Sequence, residues 1–391
     1  MSKFLKTGFS ATVEGFYNMT QILPLVISMC VCSAFSMRAS IFSVAISSLS
    51  YPFTGLLPSY SLFIILYSIS AFYGLNTALA GTLICAILLI TVSFFNFEKL
   101  KTAVYIPVIA GVMLGFTLYM TVMQTTNYFG IGAVGTYAVE MLKSYRSLGF
   151  HGNWRGVLYG TIVLVVMIVY RRKFKNLSKK IPAAFWSFVI TVPLNIFLIP
   201  GSIISPINEI GNYDYTPVFF SLNKINAFGS ILCGFSLLFI MLYKLTVNAK
   251  PAEKKNSLLS GAFIFASSLT GSVAPCPTVK KEGNFSSKII SAISSAVFGV
   301  LIIICLKDPI ARTPIPTAAV ILIIGMWQQN VWKYLKTALT SGITGFIAFI
   351  SVILIIILVN PETGIIIAAF ICCMNKLIIK KTDSFKSTEQ H

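Results

Sequence analysis

The sequence predicts an all-α polytopic membrane protein with about fourteen spans, arranged as two repeats of seven. Three observations support this fold class. Hydrophobic residues make up 56% of the 391 residues and charged residues only 10%, a composition typical of a chain that folds in lipid. Long apolar runs recur along the whole sequence. Related motifs also occur in both halves at a nearly constant separation.

The predicted spans divide the chain into two halves joined by an external loop, 201–226. In the first half, 1–200, the spans are 11–33, 40–56, 57–74, 77–95, 104–127, 156–171 and 183–200. In the second half, 227–381, they are 227–247, 257–272, 274–287, 289–306, 313–330, 342–359 and 361–379. The polar stretch 131–150 is predicted to lie at the interface, and 382–391 forms a cytoplasmic tail.

Polar, proline-containing interruptions occur at corresponding places in the two halves. One surrounds Pro58, and the other surrounds Pro275, 217 positions later. In hydrocarbon a helix is interrupted only where the freed backbone groups are buried in protein or face a wet cavity. The pair therefore predicts a binding cavity within the membrane. Alternatively, both prolines are ordinary span starts at the interface.

A second motif supports internal symmetry. Ile106-Pro107 opens one predicted span and Ile315-Pro316 opens another, 209 positions later. An odd number of spans per repeat makes the two copies run in opposite directions, as in the inverted repeats of secondary transporters.

Basic residues account for the formal charge of +19, but they gather in short loops between spans. With a cytoplasmic amino terminus and alternating crossings, about twenty of the 30 basic residues lie inside and about seven outside. This distribution favours an integral protein of the cell (inner) membrane with both termini in the cytoplasm. It argues against a nucleic-acid partner.

The sequence offers no motif for a metal site or for nucleotide hydrolysis. Its eight cysteines lack C-x-x-C spacing, and it has only two histidines, so no metal and no cofactor is expected. A G-x-x-x-x-G-K loop is also missing. Any pumping must therefore be driven by a gradient.

Several stretches resemble the SulP sulfate permease family. VYIPVIAGVMLGFTLYMTVMQTTNYFGI (104–131) is similar to its fifth span, with an Ile-Pro entry and a Gly-Phe-Thr core. The others are KKIPAAFWSFVITVPLNIFL (179–198), GSVAPCPTVKKEGN (271–284), IARTPIPTAAVILIIGMWQQNVW (310–332) and NPETGIIIAAFICCMNKLIIKK (360–381). Together they cover nearly the whole chain, with looser agreement in the first two spans.

This resemblance implies core and gate domains, with an anion held between two half-helices in the third and tenth spans. A helix amino terminus carries partial positive charge and unpaired amides, so two facing ends suit an anion. Ser59, Tyr60 and Ser61 would line one end, and Cys276 and Thr278 the other.

Lys280 is a further candidate, because a basic residue often occurs near the start of the family's tenth span. A gap-free match places that residue on Lys280, whereas a register that aligns Glu282 and Gly283 places Thr278 there. Lys280 and Lys281 are alternatively snorkelling residues at the interface.

The first span contributes a polar cluster of Tyr17, Asn18, Thr20 and Gln21. The family has a glutamine near Thr20 or Gln21 that faces substrate, which makes this cluster part of the predicted site. Hydrogen bonding between helices is the alternative.

Carboxylates suited to ion coupling are scarce. Glu14 is predicted to pair with Lys3 or Lys6 at the cytoplasmic interface rather than to couple ions. Many bacterial members of the family carry an acid in the eighth span, but the matching position here is Gly234. The cytoplasmic STAS domain usual in the family is not expected after the short tail.

The expected function is secondary active or facilitative transport of a small anion, with no enzymatic activity. Sulfate is the first choice, followed by bicarbonate, chloride or a dicarboxylate, and exchange or uniport is favoured over proton symport. The expected partners are that anion, the lipid bilayer and a second copy of the chain in a homodimer.

Three alternatives stay open. A nucleobase permease shares the architecture, but it usually places paired carboxylates in the eighth and tenth spans, where only Glu282 is available. A membrane-embedded glycan polymerase would need catalytic residues in the external loop, which offers only Glu209, Asp214 and Lys224. A scaffold without transport activity is the third.

Overall fold

A computed structural model describes most of the chain. The described residues are 2–33, 35–54, 56–59, 62–94, 105–129, 154–178, 181–197, 225–248, 253–274, 276–280, 284–306, 313–327 and 331–388. Side chains are described for most of these residues, although not for 2–7, 56–59, 126, 154–155, 244, 246–248, 253–256, 276–280 or 376–388.

Among the described residues, helices dominate both halves, and each half adds one short strand. The first half contains α1 (Ser2–Val31), α2 (Met37–Ser48), α3 (Tyr51–Thr54), β1 (Leu56–Ser59), α4 (Phe63–Tyr73), α5 (Leu75–Val92), α6 (Ile106–Tyr128), α7 (Trp154–Lys173), α8 (Lys175–Ser178) and α9 (Ala183–Phe197). The second contains α10 (Ala227–Asn248), α11 (Glu253–Leu269), β2 (Cys276–Lys280), α12 (Phe285–Cys305), α13 (Ile315–Trp327), α14 (Val331–Leu339), α15 (Gly342–Leu358) and α16 (Pro361–Thr388).

The helices have the apolar character of a membrane protein. Within the described ranges, three are long and apolar enough to cross a bilayer, at Leu75–Val92, Ile106–Thr125 and Phe285–Cys305. Shorter apolar helices accompany them, including α4, α9 and α15. Large side chains such as Ile304 and Ile343 are exposed, as expected for surfaces that contact lipid.

The helices pack in two groups. In the core group, α5 packs on α10 and α11, while α1 and α2 pack on α12. In the gate group, α6 packs on α13, α14 and α15, and α7 packs on α9 and α13. The contacts of α1 and α2 with α12 parallel those of α10 and α11 with α5, which is the pattern that two repeats would produce. The repeat boundaries themselves stay a prediction.

The two polar interruptions form strands. β1 and β2 pair antiparallel, with Ser59 opposite Cys276 and Leu56 opposite Lys280. Pro58 lies opposite Pro277, and the register shifts between Leu57 and Pro58. Proline has no N–H to donate, which disfavours a helix here and explains a local irregularity in the ladder. Pairing the strands satisfies backbone groups that would otherwise be unbonded in the membrane.

The predicted helical spans 57–74 and 274–287 are therefore wrong in different ways. The first begins as β1, and its helix, α4, starts only at Phe63. In the second, β2 ends at Lys280 and the next helix is α12, which starts at Phe285. Only residues 281–284 separate them, too few for a half-helix like α4.

Chain length identifies α4 as the element without a counterpart. The strands start 220 positions apart, at Leu56 and Cys276, but the helices α5 and α12 start 210 positions apart, at Leu75 and Phe285. The difference matches the 11 residues of α4. Among the described residues, β1 is followed by the short helix α4, whereas β2 is followed by the long helix α12. The expectation that a half-helix begins near Pro275 is therefore wrong for residues 276–280, which form a strand.

Candidate substrate-binding site

A cavity of about 620 Å³ lies between α1 of the core group and helices α7, α8, α9 and α13 of the gate group. Its polar lining consists of Gln21, Arg171, Lys175, Asn176 and Ser178. The rest of the described lining is apolar or small, and none of it is acidic. Apolar walls with charges of one sign focus a positive field in the cavity.

The helices explain why these side chains meet. Gln21 and Leu25 are one turn apart on α1, so they share the face that turns towards the gate group. Pro24 lies inside α1, where it cannot donate the helical hydrogen bond to the carbonyl of Thr20. Arg171 lies in the last turn of α7, and the favourable interaction of a cation with a helix carboxyl end suits that position.

Of the polar cluster predicted in α1, the structure brings only Gln21 into this cavity. Asn18 is buried, and its Nδ2 donates to Ser291 Oγ of α12 at 3.2 Å. Thr20 is fully buried, and its hydroxyl donates to the carbonyl of Tyr17 at 2.9 Å. Asn18 therefore has the helix-to-helix role that was the alternative for the cluster.

The predicted residues near the interruptions are placed differently from expectation. Ser59 lies on β1, while Cys276, Thr278 and Lys280 lie on β2 rather than at the start of a helix. Lys280 is at the opposite end of the sheet from Ser59, roughly 13 Å along the strand from Cys276. Tyr60 and Ser61, like Lys281 and Glu282, lie outside the described residues.

The start of α4 retains the character of an anion site. Its cap residue, Leu62, makes no side-chain hydrogen bond to the helix. The first-turn amides of α4 therefore receive no acceptor from the usual capping position. Because β1 leads directly into α4, Ser59 is three residues from this positive helix end.

The basic lining residues were not predicted as part of the site. The segment 171–180 is one of the basic short loops that the charge distribution and alternating crossings place in the cytoplasm. Its proximity to Gln21 depends on how the gate group packs against α1, and no local sequence pattern predicts that packing. A possible signal was the combination of Asn176 and Ser178 with the cations, since amide and hydroxyl groups are common in polar binding sites.

Three comparisons relate the chain to known proteins. No protein-family model matches it, and no curated protein sequence matches it. Among solved structures, the transmembrane domain of the cyanobacterial bicarbonate transporter BicA is similar, with a TM-score of 0.69 and 16% identity over 92% of this chain and 96% of that one. 

Two structures of SLC26A9 are also similar. One has a TM-score of 0.73 and 12% identity, covering 95% of this chain and 65% of that one. The other, murine Slc26a9, described as an anion transporter in the inward-facing state, has a TM-score of 0.72 and 12% identity, covering 95% and 68%. The chain thus spans about two thirds of SLC26A9. It has the transmembrane fold of BicA and SLC26A9, which confirms the fold that the sulfate permease resemblance implied.

Proposed function

We propose that this protein is a membrane carrier that moves a small inorganic anion, sulfate or bicarbonate, by alternating access. The observation that carries this proposal is the positively charged cavity between α1 and the gate group. A cavity between two packed groups of helices opens or closes when one group moves against the other. The solved structures of similar fold are described as a bicarbonate transporter and an anion transporter.

The expected orientation assigns a direction to the cavity. Arg171 and Lys175 belong to a basic segment that the positive-inside rule places in the cytoplasm. Gln21 lies near the middle of the first predicted span, 11–33, so the cavity would connect the cytoplasm with the membrane interior. In this arrangement the cavity would be open towards the cytoplasm, and Gln21, which lines it, would bind the anion. The family resemblance adds the start of α4 as a second expected contact, although no residue of α4 belongs to the described cavity lining.

Uptake by the purified protein in liposomes tests the proposal. The probes are labelled sulfate, bicarbonate, succinate and uracil, each with the other three as unlabelled competitors. We expect uptake of sulfate or bicarbonate, inhibited by the other inorganic anion. Uracil uptake that sulfate does not inhibit would identify a nucleobase permease, and no flux of any probe would indicate a scaffold.

Reversing the charge of the cavity should weaken anion transport. In the double variant Arg171→Glu/Lys175→Glu, we expect the KM for anion uptake to rise about tenfold at low salt because the steering field is inverted. The effect should shrink as ionic strength rises.

The matched control is Lys333→Glu/Lys336→Glu on α14, where two exposed lysines lie outside the described cavity lining. The control makes the same change in net charge. An equal rise in KM in both double variants would attribute the effect to overall surface charge and would contradict a role for the cavity.

A further inference from the structure

Glu362 is a buried carboxyl group in the first turn of α16. Its side chain is 1% exposed. Its nearest polar groups are the Ser68 hydroxyl of α4 and its own backbone amide, but Oε1 has no hydrogen-bond partner among the described residues. Burial of an unpaired carboxylate costs several kcal/mol, whereas a neutral carboxyl group is tolerated more easily.

The local sequence gives an ordinary explanation for an acid here, and that explanation is incomplete. Asn360 caps α16 by accepting a hydrogen bond from the Thr363 amide at 2.8 Å, and Pro361 suits the first helical position. An acidic residue next in line stabilises the positive helix end. Such residues normally face water, however, and the burial of Glu362 needs another reason.

The surroundings of Glu362 contain no described cation. Tyr119 of α6 and Cys233 of α10 are titratable groups that interact electrostatically with it, and the Tyr119 hydroxyl lies 3.4 Å from Ser68 Oγ. On α4, Tyr67 lies near Tyr119. The helices α4, α6 and α15 carry no basic residue, and Lys244 of α10 is about three turns from Cys233.

The position of Glu362 couples it to movement between the groups. The helix α16 packs mainly on α15 and α6 of the gate group and also contacts α10 and α4, whereas α4 packs on α5 and α10 of the core group. Glu362 therefore lies where the two groups meet, with Ser68 and Cys233 on the core side. Sliding of the core group against the gate group would separate Glu362 from Ser68. The carboxyl group, which is sealed against α4 in this structure, would become exposed when that contact opens.

Electrostatics then links the proton to the anion. Ser68 is five residues, about 8 Å, beyond the first residue of α4, and the start of α4 is where the anion is expected to bind. A carboxylate at Glu362 would repel that anion, while a neutral carboxyl group would not. Binding of the proton and binding of the anion therefore favour each other, and this coupling is reciprocal.

We propose that Glu362 is a proton-binding site through which this carrier transports one proton together with each anion. This inference rests on the proposed function as an anion carrier. It replaces the exchange or uniport expected from the missing acid at Gly234. Position 234 faces α5, because a Cβ added to Gly234 would lie 2.6 Å from Ile84 Cγ2 of that helix.

The test is sulfate accumulation in liposomes under an imposed pH gradient, with the membrane potential clamped. For one proton per anion, we expect accumulation by the wild type to rise about tenfold per pH unit of gradient. Glu362→Gln should equilibrate sulfate without any gradient effect, while Glu362→Asp should retain the dependence. Glu14→Gln is the matched control and should behave like the wild type.

Infrared spectroscopy supplies a readout that does not depend on transport. The carbonyl stretch of a protonated carboxyl group should be present in the wild type, lost in Glu362→Gln and retained in Glu14→Gln. Equal stimulation of Glu362→Gln and the wild type by the gradient, or a band that persists in Glu362→Gln, would overturn the proposal. If the wild type carries no sulfate, the proposed function fails for sulfate, and the infrared band alone decides whether Glu362 holds a proton.

Discussion

Gly81→Leu should prevent stable folding of the core group. Gly81 lies where α5 crosses α10, and a Cβ added there would collide with the Cys233 side chain. It would lie 2.6 Å from the Cys233 sulfur and 3.0 Å from the Ser230 carbonyl oxygen. Since the obstruction includes backbone, the helices must separate, and we expect a loss of about 3 kcal/mol or more in the free energy of unfolding.

Thermal unfolding of the purified protein in detergent measures this effect. Gly8→Leu is the matched control, because a Cβ at Gly8 meets nothing within 4 Å and leucine favours a helix more than glycine does. We expect the unfolding midpoint to fall sharply for Gly81→Leu and to stay constant or rise for Gly8→Leu. A Gly81→Leu protein as stable as the wild type would mean that α5 and α10 do not cross at this point.

Much of the helical fold could be predicted because hydrophobic runs and Ile-Pro pairs are local signals. The spans predicted from 104 and 313 correspond to α6 and α13, which begin at Ile106 and Ile315. The strands could not be predicted in the same way. Pro58 and Pro275 break a helix in either case, and only pairing between segments about 220 residues apart distinguishes a strand from a helix start.

The described elements that follow the two strands show a second limit. A repeat that is predicted from matching motifs is expected to contain the same elements in both copies. The separation between the two halves is 220 residues at the strands but 210 residues at the helices α5 and α12. This difference of ten residues is visible only once the boundaries of β2 and α12 are known. As a result, the sequence predicts Lys280 near a helix start, whereas it is the last residue of β2.

The site itself was only partly predictable. Asn18 and Gln21 are both polar residues in an apolar helix, and their positions along the helix are less than one turn apart. Which of them faces a cavity depends on where α12 and the gate group pack around α1. Burial of Glu362 was equally hidden, because Asn360 and Pro361 give the local sequence the pattern of an exposed helix start.

Gln21→Leu should reduce anion transport while the fold stays intact. The amide of Gln21 can donate hydrogen bonds to an anion in the cavity, and leucine cannot. A hydrogen bond to a charged group contributes about 1.5–3 kcal/mol. We therefore expect the KM for sulfate or bicarbonate to rise about ten- to a hundredfold, with an unchanged unfolding midpoint.

Asn18→Leu is the opposite case and serves as its control. Leucine removes the hydrogen bond to Ser291 and leaves a buried hydroxyl without that donor, so we expect a loss of about 1–3 kcal/mol in stability. Transport per folded molecule should be close to that of the wild type. Measured together, unfolding midpoints and uptake kinetics separate the two residues. If Asn18→Leu raised KM while Gln21→Leu changed only stability, the anion would have to bind on the α12 side of α1, away from the cavity.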